Sequence, residues 1–338
     1  MKLSSLKKYD SQKMFKIYDR WPDIAKEAYQ LDLKPISYTN VNNIIFSGMG
    51  GSGAIGDIFA SILSKSNIHV SVVKGYILPK TIDKNTLIVI TSVSGNTIET
   101  LSVLKEAKKL NCKIIAFSSG GKMEDFCIKN KIEYRKIQKI HSPRATFTSY
   151  LYSILKILNS IIPITENEVN DSIKQLEMTR DLISSNNLNE NNISLNLAEW
   201  IEGIPIIYYP FGLQSSAIRF KNSLQENSKK HSMVEDIVES CHNGIVAWEK
   251  SSSAQPILLQ GEDDFVKTKE RWEIIKEYFD ENNIAYKEVF STKGNILSKI
   301  INLIYILDYA SIYLAIKVQV DPSPVKSIDF IKSKLDDN

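Results

Sequence analysis

The sequence is poor in cysteine: Cys112, Cys127 and Cys241 are all it has, an odd number without CxxC spacing. That argues against a disulfide framework and against a zinc ribbon, and leaves buried thiols in a reducing compartment. Charge of one sign is scarce as well. Its 42 basic residues nearly balance 39 acidic ones, for a net +3 without any block, so nothing calls for nucleic acid or an anionic lipid surface. No apolar signal core follows Met1-Lys2-Leu3-Ser4-Ser5, which points away from secretion and toward the cytoplasm. An unbroken membrane-length run is also missing. Residues 296–318 come nearest, but Lys299, Asn302 and Asp308 interrupt them at helical spacing, as expected of a buried core helix.

What is present suits a soluble globular chain, with 43% hydrophobic and 24% charged residues. Its 338 residues exceed one ordinary core and fit two domains of about 150 residues each. Residues 41–47 read as a buried strand, followed by Gly48-Met49-Gly50-Gly51-Ser52-Gly53 and an apolar helix over 54–63. The same grammar returns with strand 86–91, the loop Ser92-Val93-Ser94-Gly95-Asn96 and helix 97–110, and 113–118 adds a strand. Such alternation predicts an α/β fold with a parallel sheet between helices. It resumes after residue 195 as strand 204–209, helix 213–229, strand 256–260, helix 264–281 and strand 286–290. A helical segment over 1–40, a domain over 41–162, a polar, Asn-rich linker over 163–194 and a second domain over 195–338 with a C-terminal helix follow from this pattern.

Gly48, Gly50 and Gly53 satisfy GxGxxG in its strand-to-helix context, so a dinucleotide site must be weighed. That reading also wants an acidic residue after the next strand, where this chain has Lys74; NAD is weakened and NADP stays open. A triphosphate P-loop is disfavoured, because Gly121-Lys122 lacks both the upstream glycine and the following hydroxyl. The second loop carries more. Ser92, Ser94 and Thr97 set three hydroxyls around a helix start, where free N–H groups and the helix dipole favour an anion. The same residues serve equally as ordinary turn and N-cap residues.

Gly50-Gly51-Ser52 and the run Ser92-x-Ser94-Gly95-Asn96-Thr97-x-Glu99-Thr100 resemble the two sugar-phosphate loops of sugar-isomerase (SIS) domains. The resemblance implies two tandem SIS domains, each a three-layer αβα unit of flavodoxin-like type. It further implies that Gly51 and Ser52 approach the sugar while Ser92, Ser94 and Thr97 hold its phosphate.

Moving a proton between C2 and C1 of a sugar phosphate needs one base, and opening the ring needs one acid. Composition alone does not choose among His69, His141, His231 and His242, and Glu226 alone reads as a solvated charge. Lys221-Asn222-Ser223-Leu224-Gln225-Glu226-Asn227-Ser228-Lys229 with Cys241-His242-Asn243-Gly244, however, is similar to paired motifs of the bifunctional phosphoglucose/phosphomannose isomerases. That resemblance, which runs from about residue 44 to the C-terminus, implies Glu226 as base and His242 as the ring-opening residue. It matches Arg144, in Ser142-Pro143-Arg144, to the family's enediolate-stabilising arginine, and Asp321-Pro322-Ser323-Pro324-Val325 to its closing motif. Ser323 stands where the family has threonine, and Lys332, or alternatively Lys326, is the pocket lysine. Gly244 replaces the usual glutamate after His-Asn, and Ser228 the usual alanine. The implied activity interconverts glucose 6-phosphate and mannose 6-phosphate with fructose 6-phosphate without metal or other cofactor, in a homodimer whose His242 acts in trans.

Overall fold

A computed structural model describes residues 1–336. Three short helices come first, α1 (Leu3–Tyr9), α2 (Met14–Asp19) and α3 (Trp21–Gln30). Helix α3 has Pro22 in its first turn, where a missing N–H costs nothing, and buries Trp21, Ile24, Ala25 and Ala28 along one stripe. The Trp21 ring stacks between Tyr18 and Tyr305, with centroids 4.3 and 5.3 Å away, so the first helices pack on the far end of the chain.

The first layered unit runs β1 (Asn43–Ser47), α4 (Gly50–Leu63), β2 (His69–Val73), β3 (Thr86–Ser92), α5 (Ile98–Ala107), β4 (Lys113–Ser118), α6 (Gly121–Asn130), β5 (Glu133–Lys136) and α7 (Phe147–Ile157). Its strands are all parallel, in the order β2-β1-β3-β4-β5. Strands β1 and β3 are buried at every position, as expected of central strands covered on both faces. Strand β5 is not foreseen from the sequence. It is Glu-Tyr-Arg-Lys, an edge strand whose charges guard an open side and leave no apolar signature. Strand order reverses between β1 and β3, and the loops following these two strands open there, at the crevice where open α/β sheets take ligands.

The stretch 163–194 is not the linker its composition suggests. It holds α8 (Glu166–Ile183), started by a capping box between Thr165 and Glu168, and leads into α9 (Ile193–Trp200). Helix α8 buries Ser172 and Thr179 beside its few apolar residues. Their hydroxyls bond Tyr152 (2.8 Å) and Asn302 (2.8 Å), so satisfied polar groups occupy core positions and mask the helical periodicity. Asn192, fully buried, caps α9 by accepting from Leu195 N–H.

The second unit repeats the first: β6 (Ile204–Tyr209), α10 (Gln214–Ser223), β7 (Met233–Asp236), α11 (Ile237–Ser240), β8 (Ala254–Gln260), α12 (Val266–Glu281), β9 (Lys287–Phe290), α13 (Ile296–Lys317) and α14 (Lys326–Asp336). The parallel order β7-β6-β8-β9 matches the first sheet without a fifth strand. Helix α13 is long and apolar enough to cross a membrane, but it is almost wholly buried and packs on α8, α9 and α10 as a core helix. One expected element changes form: the helix read over 213–229 is α only to Ser223, and Leu224–Ser228 widens into a π-turn.

Candidate active site

The loop after β3 is closed on itself by its own hydroxyls. Ser92 Oγ lies 2.9 Å from Thr97 Oγ1 and accepts from Gly95 N–H (3.1 Å), while Ser94 Oγ accepts from Asn96 N–H (3.2 Å). Gly95 sits at φ +69°, and a Cβ there would come 1.7 Å from Gly120 O, so only glycine lets the two loops touch. Thr97 is the N-cap of α5, yet its hydroxyl makes no capping bond. The first-turn N–H groups therefore keep their pull on an anion. Ser92 is buried, Ser94 exposed and Thr97 half-buried, so the cup opens to solvent through Ser94 and Thr97. Ser52, at the start of α4, accepts from Val93 N–H (3.3 Å) and ties the first loop to the second.

Gly51 carries the contact onward. A Cβ there would meet Pro143 C and O and Arg144 N, each at 3.3 Å, so glycine lets the α4 start lie against the turn bearing Arg144. The Arg144 guanidinium is buried and held by two separate stretches of chain. Nε donates to Asn227 Oδ1 (2.7 Å), Nη1 to Glu226 Oε2 (3.0 Å), and Nη2 to the carbonyls of Pro322 (2.6 Å) and Ser323 (3.0 Å). A guanidinium has five N–H groups, so one on Nη1 remains uncommitted.

Glu226 stands on the π-turn. Widening the last turn places Glu226 toward a cleft while Asn227 and Ser228 stay buried, Asn227 donating to Ser311 Oγ (2.8 Å) and Ser228 to Leu224 O (2.7 Å). Such π-turns recur at functional sites because they aim consecutive side chains an α-helix could not. The cleft, about 840 Å³, is lined by Gly50, Glu226, His231, Asp321, Pro324 and Lys326 among others. Lys326 thus faces it; Lys332 is six residues further along α14, exposed and outside the lining.

Behind these groups sits a charged hub that sequence reading did not assign to the site. Asp308, fully buried in α13, accepts from Arg219 Nη2 (2.6 Å), Ser223 Oγ (2.7 Å) and Tyr18 Oη (3.2 Å). Arg219 in turn donates to Arg144 O (2.9 Å), and Ser311 Oγ links Asn227 to Asp308 O (2.6 Å). A buried pair is stable only when its remaining lone pairs and protons are met, as here. Its one visible trace in sequence is Asp308 itself, a charge inside an apolar run.

Of the remaining expected residues, Ser323 joins the site through its carbonyl and His242 stands apart. Ser323 is buried, and its hydroxyl has no hydrogen-bond partner among the described residues. His242 lies on the loop after α11, exposed, its ring without a partner among the described residues and outside the cleft lining. Gly244 is backed by the Glu235 carboxylate, which a Cβ would meet at 2.6 Å. Another carboxylate therefore occupies the space beside this loop. Burial raises its pKa.

The chain is 31% identical to a bifunctional phosphoglucose/phosphomannose isomerase of Caldicellulosiruptor bescii, over 95% of this chain and 98% of the relative. It belongs to the bifunctional phosphoglucose/phosphomannose isomerase family. A second member of that family, from Aquifex aeolicus, is 30% identical over 93% of this chain and 94% of its own. Residues 190–335 match the bacterial phospho-glucose isomerase C-terminal SIS domain, and residues 37–130 match the SIS domain. Among solved structures, the C-terminal domain of glucosamine-fructose-6-phosphate aminotransferase from Francisella tularensis superposes with a TM-score of 0.67 at 16% identity, over 90% of this chain and 95% of that one. The fold is shared with it. The isomerase family's two tandem SIS units are the two parallel-sheet layers described above.

Proposed function

We propose that the protein interconverts glucose 6-phosphate and mannose 6-phosphate with fructose 6-phosphate through a cis-enediol. The observation that carries this reading is the Arg144–Glu226 pair at 3.0 Å, joined through Gly51, Ser52 and Val93 to the hydroxyl loop. A phosphate held by Ser94, Thr97 and the α5 N-terminus leaves the sugar's first carbons to reach toward the carboxylate. Glu226 takes the C2 proton and returns it to C1, and Arg144 stabilises the enediolate that forms between the two steps. No step calls on a metal or nicotinamide. Because the enediol carbon is planar, one base serves both epimers, and Ser323, buried, keeps the hydroxyl that threonine brings to this position in the family.

His242 opens the ring in this scheme, contributed by a second copy in a homodimer. Support comes from its exposure in the single chain and from α14, which leaves Ile328, Phe330, Ile331 and Leu335 between 39% and 65% exposed. Lys326 lines the cleft as it stands, and Lys332 would need the partner or a shift of α14 to reach it. We place the protein in the cytoplasm on its three free thiols, of which Cys127 is pushed up to about 11 by burial and is inert.

A coupled assay offering each hexose phosphate, with and without chelator, tests the proposal. Glu226→Gln should lower turnover by about two to four orders of magnitude while substrate still binds. Near-normal turnover in that variant would remove the base from the scheme. A sugar-phosphate sensor, the competing reading, would bind the ligand and turn over none of the three.

A further inference from the structure

Within the isomerase reading above, we propose that Lys229 is a positioning residue, its ammonium clamping the turn that bears Glu226 onto the loop ahead of α14. The three N–H groups of Lys229 Nζ are shared among four carbonyls: Glu226 O (2.6 Å) and Asn227 O (3.4 Å) on the π-turn, and Asp321 O (3.3 Å) and Pro324 O (2.9 Å) on the loop. Arg144 takes the two carbonyls in between, those of Pro322 and Ser323. Four consecutive carbonyls, residues 321–324, are thus all claimed by two cations, one on each side of Glu226.

The loop needs them. Pro322 and Pro324 have no N–H, and Ser323 N–H is committed to Asp321 Oδ1 (2.9 Å), so the segment has little with which to knit itself. Without Lys229 only Arg144 would hold it, and Arg144 is also the group that must meet the enediolate. The backbone points the same way. Lys229 adopts φ 57°, ψ 28°, the left-handed region that non-glycine residues seldom enter, and this folds its side chain back over the turn it terminates.

The clamp is also titratable. Lys229 as a whole is exposed, but partial desolvation of its ammonium, then the Arg144 charge, lowers its pKa, while Asp321 and Glu226 oppose the shift; Lys230, His231 and Lys326 are the other basic groups on the cleft. Raising the pH therefore removes the ammonium proton, and with it a charge-assisted bond, earlier than for a free lysine. An arginine at 229 would keep its charge throughout that range.

The experiment compares wild type with Lys229→Met and Lys229→Arg, measuring kcat, KM and the alkaline limb of kcat against pH. Loosening a base by about 1 Å is worth up to about a hundredfold in rate, so Lys229→Met should lose about ten- to a hundredfold in kcat. Its KM should stay within about twofold, because the phosphate cup lies on the other unit. Lys229→Arg should recover most of the turnover and carry the alkaline limb to higher pH. A kcat for Lys229→Met within about twofold of wild type, a loss falling on KM instead, or an unmoved alkaline limb in Lys229→Arg would each overturn the proposal. If Lys229→Met does not fold, the limb of Lys229→Arg decides alone. A wild-type chain that turned over no hexose phosphate would instead defeat the function, and the clamp would then be judged by amide exchange at Ser323 and Val325, which must quicken in Lys229→Met.

Discussion

Thr97 and Arg144 do unlike work with their polar atoms. Thr97 spends its hydroxyl on Ser92 and on the open cup, whereas Arg144 commits four of five N–H groups to protein and offers the last one to whatever enters. Thr97→Val keeps the shape and deletes the hydroxyl. It should raise KM for each hexose phosphate by about tenfold, the worth of one hydrogen bond to a charged group, and leave kcat nearly unchanged in a coupled assay. Residues such as Ser92, Ser94 and Thr97 were legible in sequence because loop hydroxyls and a helix start are local signals. Arg219, Asn227 and Lys229 were not, because their meaning lies in partners 75 to 95 positions away. A lysine that bonds only carbonyls has no pattern to read.

At the scale of elements, strand-loop-helix alternation was legible wherever apolar residues alone built the element, as in β1, β3 and β4. It failed for β5, whose charges protect an edge, and for α8, whose buried hydroxyls are satisfied across the core. The π-turn was invisible for a different reason: its ladder differs from an α-helix in hydrogen bonding, not in residue type. Helix α14 leaves Ile331 58% and Leu335 43% exposed, one turn apart on one face. If the proposed homodimer uses this face, Ile331→Glu with Leu335→Glu should shift sedimentation from dimer to monomer and reduce turnover, since His242 would then lack a neighbouring site. A double variant that sediments like wild type would leave α14 out of the interface.

Across the whole molecule, the two sheets share a strand order and differ in what their loops carry. The loop after β3 bears hydroxyls, and the corresponding loop after β8 bears Glu262, Asp263 and Asp264, which would repel a phosphate. In the function proposed above, one unit would bind the anion and the other would supply Glu226. Folding also buries several carboxyl groups. Burial raises the carboxyl pKa of Asp10, Asp57, Glu235 and Asp264. For each, the stabilisation is complete below the ordinary carboxyl range and is lost as pH climbs through the raised value, because the folded state resists ionising the group. Asp10→Asn should therefore show a smaller drop in melting temperature than wild type between about pH 4 and pH 7, read by thermal melts at the two values.

The stacking of Trp21 between Tyr18 and Tyr305, together with the Tyr18 bond to Asp308, sets an order on how the chain is made. Tyr18 and Trp21, among the first residues made at the ribosome, meet their last partners only when some 290 later residues have left the exit tunnel. Under the proposed function, a chain halted before α13 would carry the hydroxyl loop but lack Asp308, Pro322 and Ser323, the groups that seat Arg219 and Arg144.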